Sequence, residues 1–284
     1  MNFDWYAATL PGVAPLDALE VIRAGMGESI EEGRRRLGYA QCYQVRNVAG
    51  DTVAEVLCGS VGKNHLETHA VATGQNAQQF ATVIRGAFPD HRVIRFDAAE
   101  DLDEPGAFVR LTDTMREVAT KNIRVKGLWI RPDDPDDGAT YYLGGKSSSV
   151  RCRCYQKGLQ VRKELHPALR PTVSEHWARL EVQVRPPKRL GKALAATMSP
   201  SEAWGFAAWS QELILEALKL NVEKIKGLGW QPQSDDEKTF DWLCRQYGPL
   251  LGRMVEDLGS WECVGLTLGD RIAELARIER LNLS

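Results

Sequence analysis

The chain has 284 residues, 43% of them hydrophobic, and a formal net charge of −2, which suits a globular protein with a large buried core. Its apolar runs fall short of the roughly 20 residues a membrane-spanning helix needs. Its six cysteines (Cys42, Cys58, Cys152, Cys154, Cys244 and Cys263) form no C-x-x-C pair, so structural zinc, a disulfide framework and a membrane partner are not expected.

The opening M-N-F-D-W-Y-A-A-T-L-P-G has neither a basic nor an apolar signal region, which makes the cytoplasm the expected location. Phe3 to Ala8 reads as a strand, followed by a helix from about Leu16 to Leu37 and a strand from Tyr39 to Val45. Ala54 to Cys58 and H-L-E-T-H-A-V-A-T-G continue the strand pattern, with His65 and His69 expected as surface histidines on one face. Gln75 to Phe88 is helical in pattern, with Phe80, Val83 and Ile84 on one side. Val93 to Asp101 alternates: Ile94, Phe96 and Ala98 toward a core, Arg95, Asp97, Ala99 and Asp101 away from it. A helix over Thr112 to Asn122 and an acidic turn over Asp133 to Gly138 follow.

Tyr141 and Tyr142 are adjacent in an extended run, so one faces the core and the other the open side. Gly144-Gly145-Lys146-Ser147-Ser148 lacks the spacing of a nucleotide phosphate loop, but a turn whose amides and Lys146 touch a DNA phosphate fits it. In the strand read over Arg151 to Lys157, Arg151, Arg153, Tyr155 and Lys157 share one face, and Cys152, Cys154 and Gln156 the other. In Arg179 to Arg185, Leu180, Val182 and Val184 form the apolar face, and Arg179, Glu181, Gln183 and Arg185 the polar one. Pro186, Pro187 and Gly191 then break the strand. Ser199-Pro200-Ser201-Glu202 is a capping-box helix start, from which a long helix is expected to about Lys224. Gly227 to Asp236 reads as a linker, and two or more helices finish the chain, the last capped by Thr267. The tryptophans of this tail (Trp204, Trp209, Trp230, Trp242 and Trp261) are expected to pack rather than to stack on bases.

Strands with apolar backs and charged fronts imply an α+β fold. An antiparallel sheet keeps an open charged face, helices pack on its other side, and a helical C-terminal region follows. The expected domains are residues 1–190 and 191–284. Charge is segregated although the total is near zero. Between Lys146 and Lys192 there are twelve Lys or Arg against three acids, the local density that phosphate binding responds to.

Tyr155 among cations suits attack on a phosphodiester, because a phosphotyrosine bond keeps the energy needed for later rejoining. A phenol with a pKa of about 10 needs activation. Arg151, Arg153 and Lys157 offer positive charge, while Asp97, Asp101 and Glu181 offer oxygen ligands for Mg²⁺ or Mn²⁺.

Four segments in this order resemble the replication initiation factor family, the Rep_trans-type initiators of rolling-circle replication in plasmids and phages. H-L-E-T-H-A-V-A-T-G-Q-N-A resembles the family's strand ending in Ser/Thr-Gly-Gln. V-I-R-F-D-A-A-E-D resembles R-x-D-x-x-x-D, Y-L-G-G-K-S-S-S-V-R-C-R-C-Y-Q-K-G resembles the nicking-tyrosine segment, and W-A-R-L-E-V-Q-V-R resembles the closing R-x-E strand. The similarity covers roughly Phe3 to Pro187, with Gln156 in place of the usual Asn or Asp and Gly145-Lys146 in place of Ser-Arg. The resemblance implies a metal-dependent DNA nickase and strand transferase with Tyr155 as nucleophile, Lys157 beside it, and Asp97, Asp101 and Glu181 linked to metal. Arg95, Arg153, Arg179 and Lys157 would contact phosphate, joined by Lys146, Arg151 and Arg185 on the same basic surface. It implies a 5′-phosphotyrosine link to origin DNA and a free 3′-hydroxyl. The helical tail would serve dimerisation, origin recognition or docking of a host helicase. The rival expectations are a relaxase of a mobile element with the same chemistry, a non-catalytic DNA-binding regulator on this fold, and a metal nuclease without a covalent step.

Overall fold

The structure, a computed structural model, describes residues 1–60, 67–225 and 235–282. Among these, ten strands form one antiparallel sheet: β1 (Asn2–Leu10), β2 (Ser29–Glu32), β3 (Tyr39–Arg46), β4 (Thr52–Ser60), β5 (Thr68–Thr73), β6 (Arg92–Asp103), β7 (Gly127–Ile130), β8 (Thr140–Leu143), β9 (Val150–Tyr155) and β10 (Trp177–Val184). Their spatial order is β2-β3-β4-β5-β1-β6-β10-β9-β8-β7. The first helices, α1 (Pro15–Met26), α2 (Ala77–Ala87) and α3 (Ala107–Lys121), put Leu19, Ile22, Phe80, Ile84, Leu111 and Met115 into one core with Phe3, Tyr6, Phe96, Leu180 and Val182. Alternation supplies that core from one side of the sheet only; the other side carries a small second cluster of Ala7, Cys42, Leu57 and Val71 and the charged face of β6, β10 and β9. The expected α+β architecture is the observed one.

Three local expectations are corrected. The first helix ends at Met26 rather than near Leu37, because Gly27 turns extended and lies against the Val45 side chain, and the chain then pairs as β2 with β3. In β6 the register shifts between Ala7 and Ala8 of β1, so Val93 enters the core in place of Ile94. His69 is buried and stacks on Tyr39, with ring centroids 5.7 Å apart, instead of lying at the surface; His65 is outside the described residues.

The chain divides into two compact units, Met1–Gly229 and Trp230–Ser284. The boundary expected at residue 190 therefore falls inside the first unit. α4 (Lys157–Glu164) precedes β10, and after the proline break the chain returns to the body as α5 (Lys188–Ala195) and α6 (Ala208–Leu218). Arg85 of α2 donates to the Met198 carbonyl at 2.6 Å, Trp204 is fully buried, and Lys121 of α3 pairs with Glu216 of α6 at 2.7 Å. The Glu202 carboxylate caps the Ser199 amide at 2.7 Å as the sequence suggests, but the helix is not continuous. A 3-10 turn over Ser201–Phe206 gives way to extended backbone at Ala207, and α6 ends at Lys219 with φ +59°. Gly205 explains the break, since a Cβ there would collide with the Glu223 carbonyl oxygen.

The second unit contains α7 (Asp235–Leu258) and α8 (Trp261–Asn282). Its last helix starts at Trp261 with Ser260 Oγ accepting from the Cys263 amide at 3.2 Å, while Thr267 lies inside the helix and returns its hydroxyl to Cys263 O. Trp204 and Trp209 pack in the core, Trp242 and Trp261 are exposed, and Trp230 lies outside the described residues. No helix among the described residues is long and apolar enough to cross a membrane.

Candidate nucleic-acid interface and tyrosine site

Strand register gathers the charged side chains of the open face into rows. Asp101 of β6, Arg179 of β10, Tyr155 of β9 and Thr140 of β8 are successive cross-strand partners. The next row is Ala99, Glu181, Arg153 and Tyr142, and the one beyond it begins Asp97, Gln183, Arg151. Cross-strand neighbours on one face are about 5 Å apart at Cβ, within reach of long side chains. The sheet thus brings Tyr155, Arg153, Arg179 and Glu181 together from residues far apart in the chain.

The acids are bound by arginines. Arg179 holds both oxygens of Asp101 at 2.7 Å and reaches Asp4 at 2.6 Å. Arg95 grips Asp97 through two donors and stacks over Trp5 at 4.1 Å. Arg153 Nη2 donates to Glu181 Oε2 at 2.7 Å, while Glu181 Oε1 is buried without a partner. Burial pushes the Glu181 carboxyl up to about 8, against the pull of Arg153 and with Asp97 adding to the rise. For Asp101 burial also pushes upward, but hydrogen bonds from Arg179 and Trp177 outweigh it and leave the carboxyl below its usual range.

Tyr155 is 8% exposed. Burial, with the Glu181 charge, raises its phenol above the ordinary value, and Arg153 and Arg179 pull the other way. Arg153 lies 5.0 Å and Lys157 Nζ 5.9 Å from the ring centroid. Lys157 does not continue the strand as the alternation suggested. β9 ends at Tyr155, because Gln156 turns aside to accept from the Ala139 amide at 2.8 Å, and Lys157 opens α4. Burial, then the Arg179 charge, lowers its ammonium pKa. A cleft of about 290 Å³ opens beside the tyrosine, lined by Thr140, Tyr142, Arg153, Gln156 and Gln160 with the Asp137–Ala139 turn.

Four expected cations remain without an acidic partner among the described residues: Lys157, Lys146, Arg151 and Arg185. Lys146 is exposed in the β8–β9 turn, Arg185 Nη1 braces that turn through the Lys146 carbonyl at 3.1 Å, and Arg151 lies 3.8 Å over the Tyr142 ring. Arg95, Arg153 and Arg179 are already engaged.

The three carboxylates do not meet as one metal set. Asp97 and Asp101 are four residues apart on one strand, a separation of about 13 Å, with Ala99 between them. Among the described residues no group of three His, Cys, Asp or Glu is placed to hold a metal ion. What fits a hard cation is narrower: Glu181, with its unpartnered Oε1, stands diagonal to Asp97 across the β6–β10 pair.

No family model and no curated protein matches the chain. Among solved structures, it matches the rolling circle replication initiator protein from Geobacillus stearothermophilus with a TM-score of 0.52 at 18% identity, over 78% of this chain and 97% of that one. The two chains share a fold. The initiator fold thus extends across most of this sequence, which agrees with the resemblance read from its four segments.

Two residues at the site gave no clear signal in the sequence. Asp4 reaches Arg179 only because the β1–β6 register shifts between Phe3 and Trp5, and the three-residue spacing of the buried Phe3 and Tyr6 is the trace of that bulge. Gly158 is the other: a Cβ there would run into the Ser174 carbonyl and come within 3.3 Å of Trp177 Cβ. Only glycine lets α4 close on the start of β10 and bring Lys157 to Tyr155.

Proposed function

We propose that the protein starts rolling-circle DNA replication by nicking one strand through Tyr155. The observation that supports this best is the row Asp101–Arg179–Tyr155, with Arg153 and Lys157 over the tyrosine ring and a cleft beside it. In the nicking step the phenolic oxygen attacks phosphorus and the P–O3′ bond breaks. The 3′ oxygen leaves and takes up a proton, and the 5′ phosphate stays on the tyrosine. Exchange of the phenol's proton is assigned to Lys157, whose ammonium is destabilised by burial and by Arg179. Rejoining is the reverse attack by a 3′-hydroxyl, which needs no energy source because the phosphotyrosine bond is preserved.

Asp97 and Glu181 are the residues that would hold Mg²⁺ or Mn²⁺, one or two carboxylates plus substrate phosphate being the usual arrangement for such ions. A cation bound there would polarise the phosphoryl oxygen and favour ionised Glu181. Asp101 is assigned to positioning Arg179 against Tyr155.

The test is incubation with Mn²⁺ and labelled single strands tiled across the replicon that encodes the protein. An SDS-stable adduct on one strand is expected, and none with Tyr155→Phe. The burial of Tyr155, which raises its phenol pKa, favours a second reading, a DNA-binding regulator without catalysis. That reading requires equal binding by wild type and Tyr155→Phe, with no adduct from either.

A further inference from the structure

The cleft beside Tyr155 is built for something other than a phosphate. At about 290 Å³ it is close to the roughly 300 Å³ at which small-molecule sites begin, room for one planar ring system. Arg153 is the single cation in its lining and is already paired with Glu181, as the acid Asp137 is with Lys163. A phosphate would find no free counter-charge there, but a neutral base would not need one.

Tyr142 supplies the stacking surface. It lines this cleft and also the smaller one formed with Arg151, Arg153, Glu181 and Gln183. Arg151, which lines only the smaller cleft, lies 3.8 Å over the Tyr142 ring. The ring is therefore clamped by a cation from the smaller cleft and presented to the larger one. The opposite wall is preformed. Gln156 Oε1 holds the Ala139 amide at 2.8 Å, and Lys163 holds Asp137 at 2.7 Å, so the Asp137–Ala139 turn is fixed before any ligand arrives. At the rim, the Thr140 hydroxyl and the exposed Gln160 amide offer donors and acceptors suited to a base edge.

We infer that this cleft is a nucleobase subsite: it takes the base of one unpaired nucleotide adjoining the phosphate at Tyr155, stacked on Tyr142 and contacted at its edge by Gln160 and Thr140. The inference rests on the reading that Tyr155 faces single-stranded DNA. It adds that the strand is held there by a splayed-out base as well as by its backbone, so that local sequence is sensed at the nick.

The test uses full-length Tyr155→Phe protein without metal, so that no chemistry is required. The probe is a 12-nucleotide single strand in which 5-iododeoxyuridine replaces thymidine, crosslinked by light and mapped by mass spectrometry. The expected crosslink is on Tyr142. It is retained in Tyr142→Phe and lost in Tyr142→Leu, which also binds the strand about 10-fold more weakly, the usual size of one base–aromatic stack. Crosslinks that map elsewhere, for instance to Trp5, or equal affinity of a folded Tyr142→Leu, would overturn the inference. Should Tyr142→Leu fail to fold, the crosslink position in the parent decides alone. A Tyr142 crosslink from a protein that forms no adduct would remove the nicking reading and leave the subsite standing; absence of any binding would remove both.

Discussion

Glu181 lies on the open face of the sheet yet is fully buried, with Arg153 on one oxygen and no partner on the other. Its carboxyl is pushed up to about 8 by burial, more than Arg153 pulls it down, from 4.5 in the unfolded chain. Between those two values the native protein keeps a proton that the unfolded chain has released. The stability linked to this group is thus fully present below pH 4.5 and declines as pH rises toward 8. Urea unfolding in EDTA should show stability falling as pH rises across that window, and Glu181→Gln should flatten the fall; an unchanged slope in the variant would assign the titration to another group. The cations make a separate prediction. If only Lys146, Arg151, Lys157 and Arg185 are available to phosphates, log K for single-stranded DNA should fall with log salt at a slope of about −3; engagement of Arg95, Arg153 and Arg179 as well would bring it to about −5.

At the scale of elements, α4 depends on Gly158, where any Cβ meets the Ser174 carbonyl. Gly158→Ala should cost about 1–3 kcal/mol in thermal unfolding and lower the rate of adduct formation further than its stability loss accounts for, because Lys157 is displaced from Tyr155. Equal loss in both measurements would make the glycine merely structural. This dependence is hard to read from the sequence, where Gly158 ends the Y-Q-K-G run without any sign of what approaches it. Strands β9 and β10 were legible because strict alternation put Cys152, Cys154, Leu180, Val182 and Val184 in the core as expected. β6 was legible only in part, since its irregular register with β1 replaced Ile94 by Val93. The long helix expected after Ser201 failed at Ala207 and Lys219, where close packing at Gly205 and a left-handed residue override the local pattern. The candidate site residues come from strand alternation and from the family resemblance. Their convergence was not legible, because it depends on cross-strand register, which places Glu181 beside Arg153 and diagonal to Asp97 but leaves Asp101 with Arg179.

For the whole molecule, the sheet, its core helices and every proposed site residue belong to the unit Met1–Gly229. A fragment of residues 1–229 should therefore unfold cooperatively and retain adduct formation, with circular dichroism and the SDS gel as readouts; a fragment that folds but forms no adduct would assign the second unit a part in the chemistry. The central claim is that Tyr155 carries the DNA strand. Its most direct measurement is mass spectrometry of the trapped adduct after nuclease and trypsin digestion. Cleavage after Arg153 and Lys157 isolates Cys154–Lys157, a peptide in which Tyr155 is the sole hydroxyl-bearing side chain. The account predicts a nucleotide 5′-phosphate attached to this peptide at Tyr155. A nucleotide on any other peptide, or nicked DNA with a free 5′ phosphate and no modified peptide, would contradict it.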